Sequence, residues 1–564
     1  MLLTADPSWR VTFLDHNETE THLTRDELLR RASSVAGALT ARGIRPGDRV
    51  ALILGTGPDY FIAFFGSLMA GAVVASLPPR VRLGRSEEYH HTTVQMLRTI
   101  EARLVITHAN ARRMLGQVVE DARPELGCAI VAELDGPERS PHAARPGDLA
   151  IVQFSSGSTV KPKAVALSHG NVVATCTAIA ESLEVEGQRF VSWLPLYHDM
   201  GLFGMVLTSL AAKSLVLLPP ELFIARPASW LRAMSRYRGT LSTAPNFAYA
   251  LCLRKVTEAE MEGLDLSAWR HALSGAEHVS PDVVRRFCER FSKVGFHPEA
   301  LIPVYGLAEA TLGVCFAPHR RVIHTRSIDA AKAMWSGEVA PGTRELASVG
   351  VPIPGIDVEI RDESGQVLPP DRIGRIFVRG PSIMHGYFSD PDATSTTVVD
   401  GWLDTGDVGF IGEGELYIYG RSKEVVVIRG ANHAPQEFEG CLDGIPGLRP
   451  GCVVAAGFWP EGAEQEELLL MAERRTGAER VPDAVLIERI RMEVTHRTGI
   501  RPHTVVLLEP GTLPKTTSGK WRRSEALKRY LSGTLHPAQR PGRLKLVADL
   551  VRSQLAYARL WFSP

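Results

Sequence analysis

LAIVQFSSGSTVKPKAVALSHGN, residues 149–171, is the stretch whose reading decides the fold. Residues 149–154 form an apolar run with the length and composition of a buried strand. Small and hydroxyl-bearing residues follow: Ser155, Ser156, Gly157, Ser158 and Thr159, then Val160 and Lys161-Pro162-Lys163. A second short apolar strand is expected over 164–167, and 168–171 reads as a turn opening a helix with Asn171 as its N-cap. A strand–loop–strand of this kind can wrap anionic oxygens with backbone N–H groups, hydroxyls and two ammonium groups. It is not a Walker loop, because GxxxxGK[ST] is absent and no helix opens directly from the loop. A solvated serine-rich hairpin loop is the alternative reading of this segment alone.

Working outward, 564 residues exceed the size at which one core keeps growing, so two or more domains are expected. Lys plus Arg equals Asp plus Glu at 63 each, so no global basic field argues for nucleic acid. The seven cysteines are scattered without a CxxC pair, as expected of reduced, mostly buried thiols in a cytoplasmic protein. Asp6 and Pro7 interrupt the region where a signal peptide would need an apolar run. The longest apolar run, 61–77, is too short for a bilayer span and carries Gly66 and Gly71, so no membrane span is expected.

Residues 24–42 show apolar spacing at three and four, with Thr24 as N-cap and Gly43 just past the end. Strand 49–54, helix 60–70 and strand 73–77 follow strand–helix–strand logic, and helix 86–101 leads to strand 104–107. The alternation resumes with strand 190–193, an apolar helix near 204–212, strand 215–218, helix 229–237 and strand 239–244. From about 346 the texture changes to short strands punctuated by Gly and Pro, a β-rich subdomain closing the first domain. After Arg421 it becomes α+β: strand 424–428, helix 435–443, strands 453–458 and 466–472, helix 482–497. The expected division is 1–421, 422–535 and a tail, 536–564, with a helix candidate at 544–560.

Five more segments carry candidate chemistry. VSWLPLYHDMGL sets His198 beside Asp199, which taken alone suits a structural pair. SGAEHV (274–279) and YGLAEAT (305–311) each follow an expected strand, and GWLDTGDVGFIGEGELYIYGR sets Asp407 in a Gly-flanked turn before Arg421. PKTTSGKWRR puts Lys520 on a Gly-Lys loop near the C-terminus. Taken alone, Glu309 reads as a solvated helix-start carboxylate, and Lys520 carries no message.

In this order, and together with the 149–171 loop, these segments resemble the motifs of the adenylate-forming superfamily: acyl-CoA synthetases, peptide-synthetase adenylation domains and luciferases. The resemblance covers nearly the whole chain. It implies an α/β fold, with a large N-terminal domain of mixed and parallel sheets, helices and a β-rich subdomain, and a small mobile α+β C-terminal domain. It implies ATP and Mg2+ as cofactors. Ser155, Ser156, Gly157, Ser158, Thr159 and Lys163 would hold the β- and γ-phosphates, with Glu309 and Thr159 at the metal. Gly275, Ala276, Glu277, Tyr305 and Gly306 would hold adenine, an aromatic face and free backbone groups being suited to a purine. Asp407 and Arg421 would hold ribose, the carboxylate offering acceptors for two hydroxyls. Lys520 would be catalytic, stabilising charge as the acyl-adenylate forms, with His198 and Glu309 beside it. Lys423 falls at the inter-domain hinge.

Within the superfamily, PPRVRLGRSEEYHHTTVQML, SWLPLYHDMGLFG, YGLAEATLGV and RGANHAPQEFE resemble the fatty acyl-AMP ligases, and the 316–347 region lies where that branch carries an insertion. The implied activity is activation of a medium- or long-chain fatty acid as acyl-AMP, with transfer to the phosphopantetheine of an acyl carrier protein or carrier domain. An acyl-CoA synthetase is the nearest alternative. CoA needs several donors for its phosphates, and in 429–439 Arg429 is the one permanent cation while Glu437 and Glu439 are negative. Two glycines of the family's loop are replaced, by Val160 and Ala164. A positive φ at Val160 would cost on the order of 1–2 kcal/mol, roughly a tenfold effect on rate. A nucleotide-binding scaffold without turnover is the alternative these replacements raise.

Overall fold

The computed structural model describes residues 1–79, 86–155, 162–329, 337–424, 426–428, 431–460, 466–475, 477, 481–516 and 520–537. Two large sheets carry the first part of the chain. In the nine-stranded sheet, strands Arg10–Leu14, Ser214–Leu217, Arg189–Ser192, Leu241–Pro245, His271–Gly275 and Leu301–Gly306 lie side by side and parallel. Antiparallel strands close both edges: Glu20–Thr24 on one, Gly313–Phe316 and Val351–Pro352 on the other. The seven-stranded sheet runs Gly386–Tyr387, Lys163–Ser168, Leu149–Ser155, Val73–Ser76, Arg49–Ile53, Leu104–Thr107, Cys128–Ile130. Their central strands are buried along almost their whole length, as expected of parallel strands covered on both faces. Helix Pro58–Met69 supplies Tyr60, Phe61 and Phe64, all buried in the main core.

The decisive segment folds as a hairpin: Leu149–Ser155 pairs antiparallel with Lys163–Ser168. Ser156, Gly157, Ser158, Thr159, Val160 and Lys161, between its strands, lie outside the described residues. Ala164 is an extended strand residue, paired with Phe154, buried and packed in the second core cluster. Its carbonyl accepts Phe388 N–H at 2.7 Å, and nothing at 164 calls for glycine.

Two local expectations are corrected. Ser168, not Asn171, is the N-cap of helix His169–Ser182: its hydroxyl accepts Asn171 N–H at 3.1 Å, while Asn171 Oδ1 accepts Ser168 N–H at 3.0 Å. That is a capping box with Asn at its far corner. The apolar stretch expected as a helix near 204–212 is instead a π-helix, Met200–Leu207, followed by a 3₁₀ turn, Thr208–Ala211. Thr24 is the N-cap of Arg25–Ala41 as read, its hydroxyl accepting Glu27 N–H at 3.2 Å.

The β-rich part is an antiparallel sheet of Asp357–Arg361, Gly374–Arg379, Trp402–Gly412, Val398–Val399 and Glu415–Arg421. In the 316–347 region Thr325–Ile328 pairs with Arg344–Ala347. Beyond Arg421 the 3₁₀ turn Ser422–Glu424 precedes strand Val426–Ile428, where one strand over 424–428 is expected. A three-stranded sheet, Leu448–Phe458, Glu467–Arg474 and Thr504–Leu508, carries helices Pro435–Gly440, Asp483–Thr498 and Arg523–Leu531. Its two apolar clusters draw only on residues from Val426 onward, while the main core ends at Leu416. Among the described residues of the apolar clusters, Ala434 crosses over, packing with Phe410, Tyr417 and Tyr419. The candidate helix at 544–560 lies outside the described residues.

Candidate active site

The candidate residues gather where parallel strands end. Gly275 closes strand His271–Gly275, Gly306 closes Leu301–Gly306, and His198 follows Arg189–Ser192. In open α/β sheets ligands bind outside the carboxyl ends of the strands, the end at which these residues lie. Close packing dictates the glycines: a Cβ at Gly306 would meet the Leu312 carbonyl at 1.9 Å, and one at Gly275 the Val304 carbonyl at 2.7 Å. Ala276 sits at φ +64°, a left-handed conformation that costs an L-residue about 1 kcal/mol. Glu277 Oε1 accepts Phe247 N–H at 2.6 Å. Burial raises its pKa, against the Phe247 N–H and the cations Lys520, Lys515 and Arg523.

The hairpin Trp402–Gly412 and Glu415–Arg421 sets Asp407 directly opposite Arg421. Arg421 Nε donates to Asp407 Oδ1 at 2.9 Å, and the Tyr305 hydroxyl donates to Asp407 Oδ2 at 2.7 Å. Tyr305 is itself buried, so its ring belongs to the wall and its hydroxyl orients the carboxylate. Each carboxylate oxygen keeps a lone pair for a further donor.

His198 Nδ1 lies 2.6 Å from Asp199 Oδ1, which also accepts Met200 N–H at 2.7 Å. Burial raises the Asp199 pKa, but His198, Lys520 and the Met200 N–H outweigh it and hold the carboxyl below its ordinary value. Lys520 arrives from the other end of the chain. Its loop is closed by two bonds with Thr516: Thr516 N–H to Lys520 O at 2.7 Å and Lys520 N–H to Thr516 Oγ1 at 3.0 Å. Burial lowers the Lys520 pKa; Asp199, Glu277 and Asp407 push it back up, and Arg421 lowers it. Lys520 is thus coupled electrostatically to a carboxylate from each of three other motifs. Lys515 lies with Nζ 3.8 Å from the Trp521 ring centroid.

Glu309 sits in the 3₁₀ turn Ala308–Ala310, and its Oε1 accepts the Tyr387 hydroxyl at 3.0 Å. Lys163 Nζ stands 4.2 Å above the same tyrosine ring. Tyr387 was not singled out in the sequence; the Gly-Tyr at 386–387 is the faint signal that could have pointed to it. Another partnership invisible in the sequence joins the two ends of the chain: Glu88 Oε1 accepts from Arg522 Nη1 at 3.3 Å and Arg529 Nη2 at 3.4 Å. Ser155 ends its strand half-buried, and Lys423 has its backbone in the Ser422–Glu424 turn. The loop hydroxyls, including Thr159, lie outside the described residues.

Among the described residues no group of three or more His, Cys, Asp or Glu could hold a metal. A magnesium ion that bridges substrate phosphates needs only one or two carboxylates, so Glu309 fits that mode of binding. Glu437 and Glu439 are not free negative charges. Glu437 lies 3.4 Å from His433 and 3.9 Å from Arg344, and Arg523 binds both oxygens of Glu439 at 2.8 Å.

Residues 6–388 match the family model described as AMP-binding enzyme. A solved structure from work on fatty acyl-adenylate ligases of E. coli and L. pneumophila superposes with a TM-score of 0.86 and 33% identity, covering 94% of this chain and 96% of that one. The chain belongs to the fatty acyl-AMP ligases of the adenylate-forming superfamily. Two relatives of this fatty acyl-AMP ligase frame the choice of acceptor. A Moorena producens protein named as a medium-chain-fatty-acid–[acyl-carrier-protein] ligase is 33% identical over 93% of this chain and 92% of its own. A Caulobacter vibrioides protein provisionally named as an acyl-CoA synthetase is 36% identical over 90% of each chain. No helix among the described residues of this ligase is long and apolar enough to cross a membrane.

Proposed function

We propose that the protein activates a medium- or long-chain fatty acid with ATP and passes the acyl group to the phosphopantetheine thiol of an acyl carrier protein, in the cytoplasm. In the first half-reaction a fatty carboxylate oxygen attacks the α-phosphorus, a new O–P bond forms, and the bond to pyrophosphate breaks. Asp407 and Arg421 take the ribose, and Gly275, Ala276, Glu277, Tyr305 and Gly306 border the base. Ser155, Lys163 and the loop hydroxyls take the β- and γ-phosphates. Glu309 and Thr159 would hold Mg2+, which neutralises phosphate charge when bound. Lys520 stabilises the charge that develops between carboxylate and α-phosphate; a cation already fixed there needs no reorganisation during the reaction. His198, held by Asp199, borders the same space.

The observation that carries this reading is the electrostatic coupling of Lys520 to Asp199, Glu277, Asp407 and Arg421, the first three from separate sequence motifs. We also read a division after Arg421, with Lys423 as hinge, a small domain to 535 and a tail beyond it. The separate apolar clusters on either side support that division. In the second half-reaction the thiol attacks the acyl carbon, the thioester forms and AMP leaves.

Because Glu437 and Glu439 are paired, repulsion of CoA loses force, and the acyl-CoA synthetase reading draws support from the Caulobacter relative. The carrier reading draws support from the Moorena relative. Exchange of labelled pyrophosphate into ATP, dependent on a fatty acid, tests the first half-reaction. Offering CoA and a phosphopantetheinylated carrier protein in parallel tests the second: efficient acyl-CoA release moves the acceptor to CoA.

A further inference from the structure

Residues 381–388 form a strap that ties together elements far apart in sequence. Asn171 Nδ2 donates to the carbonyls of Pro381 and Ile383 at 2.8 and 2.9 Å, and Thr311 Oγ1 to that of Ser382 at 2.6 Å. Met384 N–H donates to the Glu309 carbonyl at 2.9 Å. The strap then joins the edge of strand Lys163–Ser168, with Tyr387 opposite Val165. Strap and strand together hold Tyr387 over the root of the phosphate loop. The side chain is 8% exposed, and Asp390 and Thr394 fix its backbone through Asp390 N–H to Tyr387 O at 3.2 Å and Tyr387 N–H to Thr394 Oγ1 at 2.9 Å.

The ring and the hydroxyl of Tyr387 do different work. The ring face lies 4.2 Å from Lys163 Nζ, a cation–π contact that fixes the ammonium's height above the sheet. The hydroxyl donates to Glu309 Oε1, which occupies a lone pair of that oxygen and restrains the carboxylate's rotation. An outer partner of this kind orients a ligating carboxylate and tunes its affinity. We infer that Tyr387 is a positioning residue that sets the spacing between the phosphate-binding Lys163 and the metal-binding Glu309, so that one nucleotide–Mg2+ unit meets both. The inference rests on the roles given above to Lys163 and Glu309.

Tyr387→Phe keeps the ring and removes only the hydroxyl. Binding of a non-hydrolysable ATP analogue is measured by calorimetry over a series of Mg2+ concentrations, with melting temperature followed in parallel. The Mg2+ concentration for half-maximal binding is expected to rise about tenfold or more in the variant, while binding without Mg2+ is unchanged. Tyr387→Leu should in addition weaken Mg2+-free binding, because Lys163 loses its platform. Glu309→Gln is the control that separates the two levels of the argument. If it raises the Mg2+ requirement and Tyr387→Phe does not, the tyrosine's role is overturned. If Glu309→Gln leaves the requirement unchanged, the metal assignment to Glu309 falls, and the inference with it. A lowered melting temperature in Tyr387→Phe with an unchanged Mg2+ requirement marks a structural residue only and likewise overturns it.

Discussion

Asp407 and Arg421 face each other across one hairpin, and the arginine Nε lies 2.9 Å from the carboxylate that Tyr305 holds from the other side. The pair is built by register, not by chance approach of two long side chains. A carboxylate pinned at both oxygens cannot rotate, so it presents its remaining lone pairs in a fixed direction.

Asp407→Ala should therefore raise the Michaelis constant for ATP about tenfold or more, with a smaller effect on kcat, since the lost acceptor serves ground and transition states alike. The variant also removes the acceptor of the buried Tyr305 hydroxyl, leaving it Thr405, at a cost to stability on the order of 1 kcal/mol. Steady-state kinetics in ATP and a thermal melt check both. An unchanged Michaelis constant in a folded variant would put Asp407 outside the nucleotide site.

Glu88→Gln should slow acyl-adenylate formation by about threefold, with ATP binding little changed. The carboxylate receives Arg522 and Arg529, which both follow the Lys520 loop, Arg529 from the helix Arg523–Leu531, so it helps anchor the C-terminal side of that loop. Glu88 is 37% exposed, and solvent screening keeps each pair to roughly 1 kcal/mol or less. High salt should reproduce part of the loss in the wild type and add little in the variant. Pyrophosphate exchange at low and high ionic strength decides it; equal salt sensitivity in both proteins would remove Glu88 from the account.

The pH dependence carries a sign. In the proposed mechanism Lys520 acts as a cation, and burial lowers its pKa, so adenylation should be full at low pH on this limb and be lost as pH rises through a value below that of ordinary lysine. Asp199 is the largest influence raising that pKa. Asp199→Asn should then move the alkaline limb to lower pH. A pH–rate profile of pyrophosphate exchange reads it, and a limb that stays put or moves up contradicts the placement of the two groups.

Much of this was legible in the residues. The short strands punctuated by glycine in GWLDTGDVGFIGEGELYIYGR, with Asp407 in a Gly-flanked turn before Arg421, foretell the strand pair that sets the two residues opposite each other. Strand–helix alternation foretells the parallel sheets at whose strand ends the candidate residues lie. What escaped depends on long range or on hydrogen-bond register. Tyr387 and Glu309 are 78 residues apart, and Glu88 and Arg522 are 434 apart; no local pattern links such pairs. Residues 200–207 are apolar on every side, so their periodicity does not separate π from α winding. Ser168 and Asn171 both suit an N-cap, and only the reciprocal bonds decide between them.

Lys520→Ala gives the most direct test of the central claim that the C-terminal loop completes an adenylating site. Fatty-acid-dependent exchange of labelled pyrophosphate into ATP, measured beside ATP-analogue affinity, is the experiment. The expected result is a loss of exchange by about two orders of magnitude or more, with affinity within about threefold of wild type. Wild-type exchange in a folded Lys520→Ala protein would contradict the account.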